Sequence, residues 1–324
     1  MIRPRYLPDN FTLALLVVVA LASLLPARGW GAVFFEGLTT GAVALLFFLH
    51  GVKLSRQAIL AGVGHWRLHA LVFTATFIMF PVFGLLLKPL LLPLVTPQIY
   101  TGVLYLCVLP ATVQSAVVFT SIARGNVAAA VCSASGSTLL GVFITPLLVN
   151  LIVLPHGGAS SSLLDSIEKI LLQLMAPFIA GHLLRPWLSG WSQRHAAVVS
   201  LVDRGAILLV VYTAFSASVI EGLWKQVPLS ALAGLLAVCA IILALALAST
   251  TFAARRLGFN TADEITIVFC GSKKGLANGI PMAKVLFPAQ AIGAMVLPLM
   301  LFHQMQLMVC AAIAQRYARQ EEHR

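Results

Sequence analysis

Ten long apolar runs, separated by short segments rich in lysine and arginine, leave this chain few ways to fold. They cover approximately residues 11–26, 33–51, 68–94, 99–122, 127–154, 163–188, 199–222, 229–252, 263–286 and 289–315. A helix needs ~20 residues to cross the hydrocarbon layer of a bilayer. Backbone polar groups in that layer must be satisfied within the protein, so runs of this kind become helices. The pattern predicts an all-α polytopic membrane protein with ten transmembrane helices. Composition agrees, with 60% of the 324 residues hydrophobic and 10% charged. A soluble domain carries about 25% charged residues, so a soluble enzyme is excluded. The first run follows Arg3 and Arg5 as a signal peptide would. No small-residue cleavage site follows it, and it reads as an uncleaved span.

The net charge of +11 lies in the short loops rather than on one folded face. It therefore speaks for membrane orientation and against a nucleic-acid partner. With the N-terminus in the cytoplasm, fourteen of the 21 lysines and arginines fall inside and five outside; Lys273 and Lys274 fall in mid-run. Both termini are expected in the cytoplasm, with the lipid bilayer of the inner (plasma) membrane as the surroundings. Ten spans divide into five plus five. An odd number per half gives the halves opposite orientations, the plan of an inverted five-helix repeat. The five cysteines lie inside apolar runs without metal-type spacing and read as small buried hydrophobes. Nothing in the pattern specifies an oligomeric state.

Two runs resist a plain helical reading. The fourth carries Pro110 near its middle, followed by Thr112, Gln114 and Ser115. Proline removes a backbone donor and crowds the preceding turn. An ordinary proline kink is the competing explanation. The ninth crowds Gly271, Ser272, Lys273, Lys274, Gly275, Asn278, Gly279 and Pro281 into its centre. Close helix packing accounts for glycines every four residues, but not for the lysines. A charge at mid-bilayer costs ~2.5–3.5 kcal/mol even on the lenient insertion scale, so at least one lysine faces a polar interior. The two runs are fourth in their respective halves. Interrupted helices in corresponding positions point to a midplane substrate site, hence to transport.

Other polar residues surround these centres. The fifth run opens with Ser133, Ser135, Ser137 and Thr138. Each is explained by tight packing. As a cluster beside the fourth run the four are also candidate oxygen ligands for a small cation or a polar solute, with Gln114, Ser115, Ser133 and Ser135 the candidates for Na+. The tenth run carries His303, with Gln304 and Gln306 after it. His303 is either a hydrogen-bonded interior residue or a proton-linked group, since histidine titrates near neutrality. Every Asp and Glu falls near a run end or in a loop. That counts against intramembrane aspartyl proteolysis, and no zinc-protease, nucleophile-elbow or Walker motif occurs. No enzyme activity and no cofactor are expected.

Three strings then carry a family resemblance: "ARGNVAAAVCSASGSTLLGVFITPLL", "APFIAGHLLRP", and "FCGSKKGLANGIPMAKVLF" with "LMLFHQMQ" after it. They resemble the bile acid:sodium symporter superfamily, solute carrier family 10, and most closely its divergent seventh-member branch and bacterial relatives. The resemblance covers essentially the whole chain. It implies a panel domain from the spans at about 11–51 and 163–222. It also implies a core domain from those at about 68–154 and 229–315, with spans 4 and 9 broken and crossing. Sodium-coupled members place a glutamate and a glutamine in the span 9 crossover, where this chain reads "VFCGSKK". A charged lysine ~4 Å from a sodium ion opposes it by about 4 kcal/mol at an effective dielectric of ~20. A buried lysine that gives up its proton would let the site cycle H+ instead.

The residues together predict a secondary transporter of a small organic, anionic solute working by alternating access. Gln114, Ser115, Ser133, Ser272, Lys273, Lys274, Asn278 and His303 are the candidate solute residues. Pro110, Gly271, Gly275, Gly279 and Pro281 are expected at the helix breaks. Lys274 has three open roles: counter-charge for the solute, stand-in for sodium, or cap on a broken helix. The alternative function is a non-transporting membrane regulator of ion homeostasis or of a partner protein.

Overall fold

The computed structural model describes residues 10–53, 63–153, 171–220, 222 and 229–322, and every element among them is helical. The start of the sixth apolar run, and both extreme termini, lie outside the described residues. Among the described residues six helices are long and apolar enough to cross a membrane, and a bent pair makes a seventh. The shorter apolar helices and a second broken pair hold the remaining apolar runs. The chain divides into two compact units.

The first unit comprises Met1–Lys53, Lys169–Gln226 and Ile280–Ala294. Its helices are α1 (Asn10–Leu24) and α2 (Trp30–Lys53). Later in the chain come α7 (Ala176–Leu183), α8 (Arg185–Arg194) and α9 (Ala196–Ile220). Two glycines let α2 and α7 touch backbone to backbone. A Cβ on Gly51 would stand 2.0 Å from the Phe178 carbonyl oxygen, and one on Gly181 would stand 1.9 Å from that of Phe48. Thr39 and Thr213 pair their hydroxyls at 2.8 Å between α2 and α9. Ion pairs Lys53–Asp203 and Lys284–Glu36 add charge contacts within the same unit.

The second unit comprises Leu54–Glu168, Val227–Gly279 and Met295–Arg324. Its first long helix is α3 (Trp66–Leu86), which widens into a π turn at Ala75–Met79. The cause lies just downstream, where Pro81 removes an amide and crowds the preceding turn. The same pairing recurs in the first unit, where a π turn at Leu171–Met175 precedes Pro177. Next come α4 (Pro97–Val108), α5 (Val113–Ile122) and α6 (Val127–Leu148). They are followed by α10 (Leu229–Arg256), α11 (Thr261–Gly271), α12 (Leu276–Leu286) and α13 (Ala289–Glu322), the last two shared between the units.

A polar knot ties the N-termini of α6 and α11 together. Asn126 and Asn260 cap them, accepting from the amides of Ala129 and Asp263. Both asparagine side chains also donate to the Asp263 carboxylate, at 2.9 and 3.0 Å. The neighbouring Glu264 is buried, bound bidentately by Arg255 and reached by the Tyr317 hydroxyl at 2.8 Å. An anionic first turn suits a helix N-terminus, and buried carboxylates need this degree of pairing.

Candidate functional site

Both interruptions expected from the sequence are present in the second unit, and they touch. Between α4 and α5 the chain bends by 63°. Between α11 and α12 it leaves helical geometry at residues 272–275. Gly275 donates its amide to the Pro110 carbonyl at 3.0 Å. A Cβ on Gly275 would press to 3.3 Å from the Ala111 carbonyl oxygen, so glycine allows this approach without a shift of the neighbouring backbone. The Pro110 ring rests in a notch at Gly141 of α6, where a Cβ would come within 2.5 Å of it. Gly279 makes similar room for Leu109 and Leu299, and Gly271 for Thr250 and Ala75.

Buried backbone groups freed by a break must find partners, and here side chains supply them. The Ala111 amide donates to Ser137 Oγ at 3.0 Å, and Thr145 Oγ1 donates to the Val108 carbonyl at 2.9 Å. Tyr105 donates its hydroxyl to the Gly279 carbonyl at 2.6 Å. Gln306 of α13 serves the other break twice over. Its Oε1 accepts from the Lys274 amide at 3.0 Å, and its Nε2 donates to the Lys274 carbonyl at 2.9 Å.

Lys273 and Lys274 are both fully buried, and their ammonium groups diverge. Lys274 Nζ donates to the carbonyl oxygens of Thr76 (2.8 Å), Cys107 (2.9 Å) and Leu109 (2.7 Å), and lies 4.1 Å from the centre of the Phe80 ring. The C-terminal end of α4, where the helix dipole is negative, thus holds a cation. Lys273 Nζ donates to the Ser115 carbonyl in α5 at 3.0 Å and sits 3.8 Å from the centre of the Phe119 ring, with Phe269 at 5.4 Å. An ammonium has three donors. Those of Lys274 match three acceptors, whereas Lys273 has one hydrogen bond among the described residues.

The other candidates divide. Gln114 is exposed at the start of α5, and the Ser115 hydroxyl is buried with no hydrogen-bond partner among the described residues. Asn278 is buried in the first turn of α12, donating to Thr138 Oγ1 at 3.3 Å. Ser133 is buried and its hydroxyl is taken by His69 Nδ1 at 2.7 Å, while Ser135 is half-buried. Ser272 turns back on its own helix, donating to the Val268 carbonyl at 2.6 Å. His303 lies beside the break, its Nδ1 2.9 Å from Gln306 Nε2 and 3.5 Å from the Lys274 carbonyl. Gly279 and Pro281 correct an expectation. Both lie inside α12, past the break, because Gly275 and the free ends at 272–275 already accommodate the interruption. A cavity of about 600 Å³ lined by Leu247, Ala248, Thr251, Phe252, Arg255 and Arg256 includes none of the crossing residues.

The sequence marks Ser137 and Thr138 as candidate oxygen ligands, whereas in the fold they accept from the Ala111 amide and from Asn278. It marks Gln306 only as a polar neighbour of His303 and carries no signal for Thr145, Tyr105 or the π turn at Thr76. For Thr76 no side-chain signal existed, since it contributes a carbonyl. Sodium, which the resemblance associates with this fold, does not fit the crossing. No Asp or Glu occurs in residues 97–122 or 265–286. The carbonyl oxygens freed there face an ammonium that already binds them.

Comparison with known proteins places the chain in a family. The model of the SBF-like CPA transporter family matches residues 9–319. An uncharacterized protein of Pseudomonas aeruginosa is 65% identical over 322 residues, 99% of this chain and 96% of its own length. YfeH of Escherichia coli, whose name makes it a candidate symporter, is 58% identical over 317 residues, 97% of this chain and 94% of its own. Sodium/bile acid cotransporter 7 of Rattus norvegicus is 28% identical over 312 residues, 94% and 91% of the two chains. With its long apolar helices and a match over nearly its whole length, this chain is a multi-pass membrane transporter, not an enzyme, and belongs to the SBF-like CPA transporter family.

Proposed function

We propose that the chain is a secondary transporter of the inner membrane that moves a small organic anion by alternating access. Its solute site lies where the two broken helices meet. The observation that carries this reading is the direct Gly275–Pro110 hydrogen bond between two interrupted apolar segments. Such breaks expose helix ends to a solute. The N-termini of α5 and α12 open there, and helix N-termini favour anions. Among the described residues Lys273 has a single hydrogen bond and the Ser115 hydroxyl none, and both add polar capacity beside them. Gln114 and Asn278 complete the lining in this reading.

The ten-span, inverted-repeat plan belongs to the same proposal, with both termini cytoplasmic. The six long helices and the bent pair support it, with α1, α7 and the α11–α12 pair supplying the remaining crossings. Sodium coupling is not part of the reading, because two buried lysines lie at the crossing and oppose a second cation beside them. The relatives' names mention symport and bile acid, and neither cargo nor coupling is carried over from them.

A thermal-shift screen of the purified chain tests the solute assignment. The library contains small carboxylates, sulfonates and phosphates, with neutral and cationic solutes as comparators. A ligand of the native state at 100 times its Kd adds about 2.7 kcal/mol of stability. At least one anion class is expected to stabilise the wild type. Gln114→Ala and Asn278→Ala should lose that shift while unfolding near the wild-type temperature without ligand. Stabilisation by neutral or cationic solutes alone would contradict the anionic assignment.

A further inference from the structure

We propose that the carbonyl oxygens of Thr76, Cys107 and Leu109 form a monovalent-cation site, occupied by the chain's own Lys274 ammonium, that a free ammonium-sized cation fills once the amine is removed.

Two prolines create the site. In the π turn of α3 the Phe80 amide donates to Ala75. The same register would pair the Thr76 carbonyl with residue 81, which is proline and has no amide hydrogen. At the end of α4, Pro110 interrupts the helix. The Cys107 carbonyl would accept from the Ala111 amide in a continuous helix, but that amide goes to Ser137. The Leu109 carbonyl belongs to the break itself, where the backbone is extended. Three carbonyls therefore lack helical partners and converge on one point in a buried region, where an unsatisfied polar group is costly.

Lys274 Nζ occupies that point with donor–acceptor distances of 2.7–2.9 Å. These match the ~2.7–2.9 Å of charge-assisted bonds. The Phe80 ring beneath, 4.1 Å from its centre to Nζ, adds the favourable face of an aromatic quadrupole. Each N–H has an acceptor, so this ammonium has no donor left for a solute. The site is sized for ammonium or potassium and is loose for the smaller sodium ion. This assignment stands whether or not the chain moves a solute, and stability rather than flux reads it.

The full-length chain is purified with Lys274→Ala or Lys274→Met and unfolded thermally in choline, sodium, ammonium or methylammonium chloride at equal ionic strength. In choline the alanine variant should unfold roughly 5–10 °C below the wild type. Ammonium or methylammonium should restore at least half of that loss in a saturable way. Sodium should restore less, and the wild type should not respond. Lys274→Met fills the space without an N–H and should show no recovery. If the alanine variant does not survive solubilisation in choline, its monodisperse yield in methylammonium against choline becomes the readout. Equal unfolding temperatures, or equal yields, in methylammonium and choline would overturn the proposal. So would a wild-type unfolding temperature for Lys274→Ala in choline.

Discussion

The amide of Gly275 donates to the carbonyl of Pro110 across 3.0 Å, joining the broken segment of one apolar run to that of another 165 positions away. Proline opens the first chain by withholding an amide, and glycine lets the second approach the exposed carbonyl without a Cβ in the way. The crossing depends on both residue types and on the side chains that absorb the other freed groups. Its stability should therefore respond to substitutions in helices that contribute no charge to it.

Gly141 provides the sharpest case. It lies in α6, and a Cβ there would meet the Pro110 ring at 2.5 Å from Pro110 Cβ, with Cγ at 2.7 Å. A rigid ring cannot swing aside as a long side chain would. Gly141→Ala should lower stability by about 1–3 kcal/mol, the ordinary cost of overpacking. Gly205→Ala, in mid-α9 with nothing within 4 Å of the added carbon, should be neutral or raise it by ~0.5–1 kcal/mol. Thermal unfolding of the two purified variants in detergent makes the comparison.

Gln306 clasps both backbone groups of Lys274. Gln306→Leu removes both hydrogen bonds to Lys274 and the contact with His303, leaving the buried Lys274 amide unpaired, a loss of about 2–4 kcal/mol. Gln306→Glu retains an acceptor for the amide but no donor for the carbonyl when ionised. Hydrogen exchange at residues 272–275 should accelerate most in the leucine variant.

The interruptions are legible in the sequence because they are written in residue types with strong backbone effects: Pro110 in one run, and Gly271 and Gly275 in the other. The buried lysines were equally conspicuous against an apolar background. Their division of labour was not. Lys274 meets backbone oxygens of Thr76, Cys107 and Leu109, and a carbonyl leaves no trace in residue identity. Which carbonyls are free depends on the π register upstream of Pro81, a geometric consequence no periodicity reveals. Asp263 and Glu264 were read as belonging to a run end. In the folded chain they are buried and bound by Asn126, Asn260, Arg255 and Tyr317, residues brought together by the packing of α6, α10, α11 and α13. Pro281 has the look of a breaker, yet a helix can carry proline where neighbouring contacts absorb the freed carbonyl.

Charge asymmetry in the loops sets an expectation for orientation. Green fluorescent protein fused to the C-terminus should fluoresce, and alkaline phosphatase fused there should be inactive, in cells expressing the chain. Probe cysteines placed at Arg194 and Arg255 should be inaccessible to membrane-impermeant reagents added from outside. An active phosphatase fusion would require an odd number of crossings and would end the five-plus-five plan.

Solute flux through the purified chain tests the central claim most directly, that the crossing is the solute site of a transporter. Proteoliposomes are supplied with the small-anion library used for the thermal screen, and internal contents are measured by mass spectrometry. Wild-type vesicles should accumulate at least one anion above protein-free vesicles, equally in sodium and in choline. Uptake should fall at least tenfold when Gln114→Ala and Asn278→Ala are combined. Flux that requires sodium, or that survives the double substitution unchanged, would contradict the site described here, and absence of any flux above protein-free vesicles would contradict the solute assignment as a whole.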